Sequence, residues 1–565
     1  MYTCHRIWSV TDRIALGCLA GLALLPFFLP LEFHDAQRIL TILLATVLLG
    51  KQLWEATWTP LTLTILAILA TLGLIASSLS PAPLWSGVEF ALLFTVFVLT
   101  QVLLRSVNEA FIQHIAITMF LIQGGYVLRH LWNYAEITLN GYPLNALAII
   151  DGFSNLRFYG QFLVWTIPFC IAVLTTYKST RWRFLAMNSL ALSWSMAYLS
   201  GTRSFFIAML ASIVMTWWLT PTAWKRYVQW LLITAFLGMA YYAFLVLWLP
   251  EILNTPEPET LASYSVHREL TNSNGRLDIW LHALQQTGEH PWFGLGPMMT
   301  AETGFFKTEA HPHNYLIQWL SEWGIPFTLL LSLFLGYQLW RWCQVMQTHA
   351  TERQLLALPA VASIGAAATA GLLDGLIVMP ISLAYMTIML GIAVSLQRTW
   401  TPDTYRIRLP VWANLILLMP SLALAGFTVY QLPRVVDAPF TLNPHTRFWT
   451  DGSLTFASQY AKTYEMGGAS KSHTLAAVKL SVDLYPLLHQ RQCQLHLGAT
   501  EHAPDLTITC GTQREYIFIN LNKKQVSVST ENYGDQQRST QTFNETDTLT
   551  LATVQYSKAV HELLE

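Results

Sequence analysis

Two histidines, His311 and His313, occur in the sequence HPHNYLIQWLSEWGIP, directly before a strongly apolar segment. The pKa of an imidazole lies near neutrality, so such a side chain can take a proton from a hydroxyl group without a metal ion. A His-x-His pair can also bind zinc, but only His267, His282 or His290 could add a third ligand, and their spacing is not that of a zinc site. Interfacial histidines that only bond the backbone are another alternative. The arginines of the same region favour the general base.

Arg203 and Arg276 accompany these histidines. Arg203 stands in YLSGTRSFF between two apolar segments, and Arg276 stands in NGRLDIW. A guanidinium group binds phosphate oxygens through paired hydrogen bonds and keeps its charge in a partly desolvated site, which suits a pyrophosphate leaving group. Arginines at a membrane face can instead snorkel or contact lipid phosphate. Arg157 and Gln161, in NLRFYGQFLVW, form a third polar cluster, for which an interfacial anchor is the alternative.

The composition indicates that lipid surrounds much of this chain. Of its 565 residues, 53% are hydrophobic and 12% are charged, and the mean hydropathy is +0.39. Soluble proteins have about twice that share of charged residues. No basic block suits a phosphate backbone, so we expect no nucleic-acid partner.

A segment of about 20 apolar residues crosses the hydrocarbon core, and the sequence has thirteen candidates. They run approximately from Ile14 to Leu31, Ile39 to Leu53, Leu61 to Ser77, Val88 to Leu104, Phe111 to Leu128, Phe158 to Thr175, Phe184 to Leu199, Ser204 to Trp218, Tyr227 to Leu249, Tyr315 to Trp340, Leu355 to Leu373, Gly375 to Leu396, and Val411 to Leu432.

Lysine and arginine residues in the short loops predict the orientation, because cytoplasmic loops are enriched in them. A cytoplasmic N-terminus places Lys51, Lys225 and Arg226 on the same side as the other basic loop residues. The opposite side then receives the long loop from Pro250 to Asn314 and everything beyond Leu432. We therefore expect a multi-pass protein of the bacterial inner membrane whose active site and C-terminus are periplasmic.

The long periplasmic loop has signals of ordered structure. Asn274-Gly275 indicates a turn, the stretch from Leu277 to Gln286 has helical periodicity, and Gly294 and Gly296 indicate a second turn. Loops longer than about 12 to 15 residues are commonly functional or disordered. The order signals therefore favour a functional loop.

Three acidic residues, Glu89, Glu322 and Asp374, lie in or beside predicted spans. Acidic side chains are costly in lipid and mark possible function, including proton relays. All three can lie near the extracytoplasmic ends of their helices, so snorkelling or helix pairing is the preferred interpretation. The two spans that flank Asp374 are predicted to be joined by almost no loop.

The sequence predicts an all-α polytopic membrane protein of about 13 transmembrane helices with a small C-terminal extracytoplasmic α+β domain. Residues 1–157 form its N-terminal transmembrane helices, residues 158–432 form a membrane core that includes the periplasmic loop 250–314, and residues 433–565 form the C-terminal domain. The last boundary follows the change from apolar to polar composition after Leu432.

The C-terminal domain contains the runs EYIFINL and KQVSVST on either side of NKK, which predict a β-hairpin. Cys493 and Cys510 lie about one hairpin apart in this domain. In an oxidising periplasm a disulfide is expected between them, and two free buried thiols are the alternative.

The ordered segments SGTRS, NGRLDIW, HPWFGLGP and HPHNYLIQWLSEWGIP resemble the signature region of the O-antigen ligase and polymerase superfamily. The resemblance extends approximately from Phe158 to Leu396. It implies a metal-independent membrane glycosyltransferase without a cofactor. By this resemblance, Arg203 and Arg276 hold the pyrophosphate of the donor, His313 is the catalytic base, and His311 is a supporting residue.

Within that superfamily, NLRFYGQFLVWTIP is similar to a segment of bacterial protein O-oligosaccharyltransferases, including the pilin-directed ones, and Arg157 and Gln161 carry this similarity. TRFWTDG, from Thr446 to Gly452, is also similar to those enzymes. The implied reaction is en bloc transfer of an oligosaccharide from undecaprenyl pyrophosphate to a Ser or Thr hydroxyl of a periplasmic protein such as a pilin. Ligation to lipid A core, O-antigen polymerisation and, more remotely, transport are the alternatives.

Overall fold

The computed structural model describes Gly17 and residues 21–27, 33–81, 83–104, 107–139, 146–150, 156–175, 180–252, 276–301, 311–347, 351–401, 405–437, 493–497, 506–510, 513–520, 525–532 and 535–542. Most of the predicted first span, from Ile14 to Leu31, lies outside these residues. The segment from Thr446 to Gly452 lies outside them as well.

Thirteen longer helices, numbered in chain order, occur in the described residues. They are α1 Phe33–Gln52, α2 Pro60–Leu79, α3 Pro83–Val102, α4 Glu109–Leu139, α5 Leu156–Leu174, α6 Thr180–Ser200, α7 Arg203–Leu219, α8 Trp224–Ile252, α9 Arg276–Glu289, α10 Tyr315–Gln347, α11 Thr351–Ala370, α12 Pro380–Trp400 and α13 Val411–Asp437. Short helical turns occur at Leu22–Phe27, Leu53–Glu55, Ala146–Ile149 and Met299–Ala301.

Seven of these helices are long and apolar enough to cross a membrane, namely α2, α4, α5, α8, α10, α12 and α13. Shorter apolar stretches occupy Ser86–Val102 within α3 and the whole of α7. The chain is therefore an all-α polytopic membrane protein, as the sequence predicted. The total of thirteen spans stays a prediction.

Two helices differ from the sequence prediction in ways that matter for the site. The predicted span from Gly375 begins only at Pro380, which leaves residues 371–379 as a loop between α11 and α12. Proline suits the first turn of a helix and disfavours helical geometry in the residue before it, so the helix starts at Pro380 rather than earlier. Helix α10 is interrupted at Gly324, which has a φ of 80°.

The described residues form two compact units. The larger unit consists of the described residues within Met1–Pro81, Phe90–Pro297 and Pro312–Ala425. The smaller unit consists of the described residues within Ala82–Glu89, Met298–His311 and Gly426–Glu565. Helix α5 forms the core of the larger unit, because it packs against α4, α6, α7 and α11 and buries nearly every side chain. Small residues allow close packing around it: a Cβ on Gly365 of α11 would lie 2.6 Å from Met215 of α7.

The C-terminal region contains a five-stranded antiparallel sheet in the order β3-β4-β5-β6-β7. Its strands are β3 Gln494–Leu497, β4 Leu506–Cys510, β5 Gln513–Asn520, β6 Gln525–Asn532 and β7 Asp535–Thr542. The predicted hairpin is confirmed, because β5 pairs with β6 in a register that places Ile517 opposite Val528. The structure joins Cys493 to Cys510 in a disulfide bond. A separate two-stranded ladder, β1 with β2, pairs Thr57–Trp58 with Ile407–Arg408.

Candidate functional site

His313 lies two residues before the start of α10 and is 6% exposed. Its Nδ1 atom is 3.4 Å from Oδ1 of Asp374. This distance is long for a good hydrogen bond, but catalytic hydrogen bonds are often long before substrate binds. An imidazole that directs Nδ1 at a carboxylate has Nε2 on the opposite side of its ring.

The backbone of His313 has a φ of 55°, in the left-handed region that non-glycine residues seldom adopt. Such a conformation costs about 1–3 kcal/mol and persists only when neighbours hold it. The indole Nε1 of Trp280 donates to the Pro312 carbonyl at 2.7 Å. On the other side, Asn314 Oδ1 accepts from the Leu316 and Ile317 amides at 3.0 and 3.2 Å and so caps α10. These contacts hold the backbone on both sides of His313.

Asp374 lies in the loop of residues 371–379, named the Asp374 loop below, and is 2% exposed. Burial alone would raise the pKa of Asp374. This effect of burial is outweighed by the hydrogen bond and charge of His313, by the charge of Arg157 and by the hydrogen bond from the Gly375 amide. Together they hold the pKa of Asp374 at about 2. Gly375 N–H donates to Oδ1 at 2.9 Å. Asp374 is therefore a buried anion directed at His313. Of the two interpretations from sequence, burial contradicts snorkelling and leaves pairing with another element.

Arg276 contacts the Asp374 loop, and the charge of Arg157 acts on Asp374. Nη1 of Arg276, in the first turn of α9, donates to the Leu373 carbonyl at 2.6 Å. Arg157, in the first turn of α5, is close enough for its charge to lower the pKa of Asp374. The Asp374 loop thus brings together His313, Arg276 and Arg157, three of the residues predicted from sequence to form the site.

Arg203 is the first residue of α7 and its side chain is exposed. The preceding residue, Thr202, donates from Oγ1 to the Leu156 carbonyl at 3.3 Å and packs against Gly160. Because these contacts are with the first turn of α5, Arg203 lies at the same end of the helix bundle as Arg157.

Gln161 and His311 are both buried. Gln161 is 2% exposed, one turn after Arg157 on α5, and its amide nitrogen and oxygen have no hydrogen-bond partner in the described part of the chain. His311 is 3% exposed and belongs to the smaller unit.

Two further residues that support the site were not expected from sequence. One is Trp280, whose indole donates to the Pro312 carbonyl next to His313. Arg38 of α1 is almost fully buried, and its Nη2 donates to the Val378 carbonyl of the Asp374 loop at 2.5 Å. The sequence could have indicated Arg38, because a charged residue inside an apolar helix is uncommon without a functional or structural role.

The HPWFGLGP and SEWGIP segments bind each other through their backbones. Leu295 and Gly296 donate to the carbonyls of Ser321 and Glu322 at 2.9 and 2.8 Å, and Ile325 donates to the Pro291 carbonyl at 2.8 Å. The break in α10 at Gly324 makes these groups available. The segment that follows α9 is thereby attached to α10 around Gly324.

Gly294→Ala is expected to destabilise this attachment. Gly294 has a φ of 65°, and a Cβ there would lie 2.4 Å from the Glu322 carbonyl carbon, so both strain and a backbone clash arise. The cost should exceed about 1 kcal/mol. Thermal unfolding of the purified protein in detergent measures it. Gly288→Ala is the matched control, because no atom lies within 4 Å of its Cβ position; equal melting temperatures for the two variants would contradict the prediction.

Within the part of the chain that the structure describes, no three His, Cys, Asp or Glu side chains come together as metal ligands. The zinc alternative would thus have to draw on residues outside that part, such as His267.

A protein-family model matches part of the chain. Residues 189–332 match the family model of O-antigen ligase, Wzy_C. The match includes Arg203, Arg276 and His313, whereas Arg157 and Gln161 precede its first residue and Asp374 follows its last. No curated protein matches the chain. This match supports the placement of the chain in the O-antigen ligase and polymerase superfamily.

Proposed function

We propose that the protein is a metal-independent glycosyltransferase that moves an oligosaccharide en bloc from undecaprenyl pyrophosphate to a Ser or Thr hydroxyl of a periplasmic protein such as a pilin. The match of residues 189–332 to the O-antigen ligase family model supports ligase-type glycosyl transfer by an integral membrane protein. The observation that carries the proposal is the buried His313–Asp374 pair with Arg276 and Arg157 around it.

In the proposed mechanism, His313 Nε2 accepts the proton of the acceptor hydroxyl as its oxygen attacks the anomeric carbon of the donor sugar. The bond from that carbon to the pyrophosphate oxygen breaks, and undecaprenyl pyrophosphate leaves with the bonding electrons. Arg203 and Arg276 stabilise the charge that develops on the pyrophosphate. Asp374 stabilises the imidazolium and fixes the proton on Nδ1. A single displacement inverts the anomeric carbon.

The proposed orientation places this chemistry in the periplasm, with the N-terminus in the cytoplasm. The positive residues of the short loops support it. The Arg157 and Gln161 segment and the added C-terminal sheet favour a protein acceptor over lipid A core, because an additional extracytoplasmic domain offers a surface for a folded partner. His311 is proposed as a supporting residue of the site.

The intact mass of the major pilin, compared between cells with and without the gene, tests the acceptor. We expect the pilin to lose the mass of one oligosaccharide while the lipopolysaccharide keeps its long chains. Loss of the long chains with an unchanged pilin would instead assign lipid A core ligation or polymerisation. In a purified assay, transfer should persist in excess chelator, and its loss with restoration by a divalent ion would refute metal independence.

A further inference from the structure

A large cavity lies among α2, α3, α10, α11 and α12 in the larger unit. Its volume is about 820 Å³, it is partly open, and most of its surface is apolar. The apolar lining includes Leu66, Phe90, Phe97, Phe327 and Met386. An apolar space of this size beside membrane-spanning helices suits a hydrocarbon chain.

One end of the cavity is strongly basic. Arg341 of α10, Arg398 of α12 and Arg406, which follows α12, all line it, together with Gln338 and Gln397. Helix α12 has 21 residues, and at 1.5 Å per residue it extends about 30 Å, the thickness of the hydrocarbon core. Because α12 begins beside the Asp374 loop and carries Arg398 in its last turn, this basic end lies at the membrane face opposite His313.

Arg398 and Arg406 are close to each other. Nη2 of Arg406 donates to the Arg398 carbonyl at 3.1 Å, and the charge of Arg406 acts unfavourably on that of Arg398. Burial lowers the pKa of Arg406. In the described part of the chain, neither guanidinium has a carboxylate partner, and Arg406 Nε has no hydrogen-bond partner. Two partly buried like charges need an anion to offset their desolvation and repulsion.

We propose that this cavity binds an anionic phospholipid, with its phosphate on Arg398 and Arg406 and an acyl chain among α2, α3, α10 and α12. Basic pockets between transmembrane helices have the chemistry that anionic headgroups require. If the cavity held the polyprenyl chain of a donor, the pyrophosphate of that donor would lie at the His313 end. Arg398 and Arg406 would then have no anion beside them. The basic end therefore favours a phospholipid anchored from the opposite leaflet.

Native mass spectrometry of the purified full-length protein, incubated with phosphatidylglycerol or with phosphatidylcholine, tests the proposal. The wild type should retain phosphatidylglycerol in preference to phosphatidylcholine. The double variant Arg398→Gln with Arg406→Gln should retain about tenfold less phosphatidylglycerol. The double Lys variant should keep most of the binding, because it keeps both charges. Arg226→Gln is the control, since Arg226 is an exposed arginine that does not line the cavity.

Equal retention of the two lipids by the wild type would overturn the proposal without recourse to any variant. Undiminished retention of phosphatidylglycerol by the double Gln variant would also overturn it. If undecaprenyl phosphate displaces phosphatidylglycerol one for one from the wild type, the cavity holds a polyprenyl chain instead, and the proposal fails. None of these outcomes depends on which molecule accepts the glycan.

Discussion

Asp374→Asn is expected to lower kcat for glycan transfer by about 10² to 10⁴, nearly as much as His313→Ala. Asparagine keeps the size of the side chain but removes the negative charge that faces His313 Nδ1 across 3.4 Å. The imidazolium formed during proton transfer would then lack its counter-charge. A purified assay with a lipid-linked donor and an acceptor peptide or protein measures kcat for both variants.

The double variant separates a catalytic pair from two independent contributions. If Asp374 acts only through His313, then His313→Ala with Asp374→Asn should be no slower than His313→Ala alone, because groups that act as a unit are not additive. Multiplicative losses would contradict the pair. Melting temperatures of all three variants must be compared, since removal of a buried charge partner also affects folding.

The pH dependence follows from the depressed pKa of Asp374. Its pKa falls from the model-compound value of 3.8 to about 2 in the folded protein, so the carboxylate contributes stability that is complete above about pH 4. That contribution is lost as the pH falls through about 2. Asp374 is therefore expected to stay ionised in the neutral range, and a pH profile of kcat measured between pH 5 and 7 should not show the titration of this carboxyl group.

Local sequence patterns predicted the elements that carry the site. Helical periodicity from Leu277 to Gln286 is confirmed by α9, and the turn at Gly294 and Gly296 is confirmed by their positive φ angles. These features depend on residues that are neighbours in the chain, and so a sequence pattern can reveal them.

The partners of the site could not be predicted in this way. Asp374 meets His313 across two intervening helices, and Arg38 reaches Val378 over 340 positions of sequence. The apolar run around Asp374 also concealed a loop, because LLDGLIVMP has almost the hydropathy of a continuing span. Hydropathy reports which solvent surrounds a segment, whereas the contacts of Asp374 come from how α10, α11 and α12 pack.

Arg276 gives the second large expected effect. Arg276→Ala should raise KM for the lipid-linked donor and lower kcat, together reducing kcat/KM by at least about 10²-fold, because a cation at a developing pyrophosphate charge is lost. Nη1 donates to the Leu373 carbonyl at 2.6 Å, so the same side chain also holds the Asp374 loop. Donor titrations in the purified assay measure both parameters.

Arg276→Lys distinguishes the two roles of this side chain. An ammonium group keeps the charge but cannot bond the Leu373 carbonyl and bind a phosphate in the geometry of a guanidinium. The Lys variant should therefore recover only part of the donor affinity. Arg226→Ala, at an exposed arginine outside the site, is the control. If Arg276→Ala lowers the melting temperature but leaves the KM for donor unchanged, Arg276 only positions the Asp374 loop, and the pyrophosphate must be held by other cations such as Arg203.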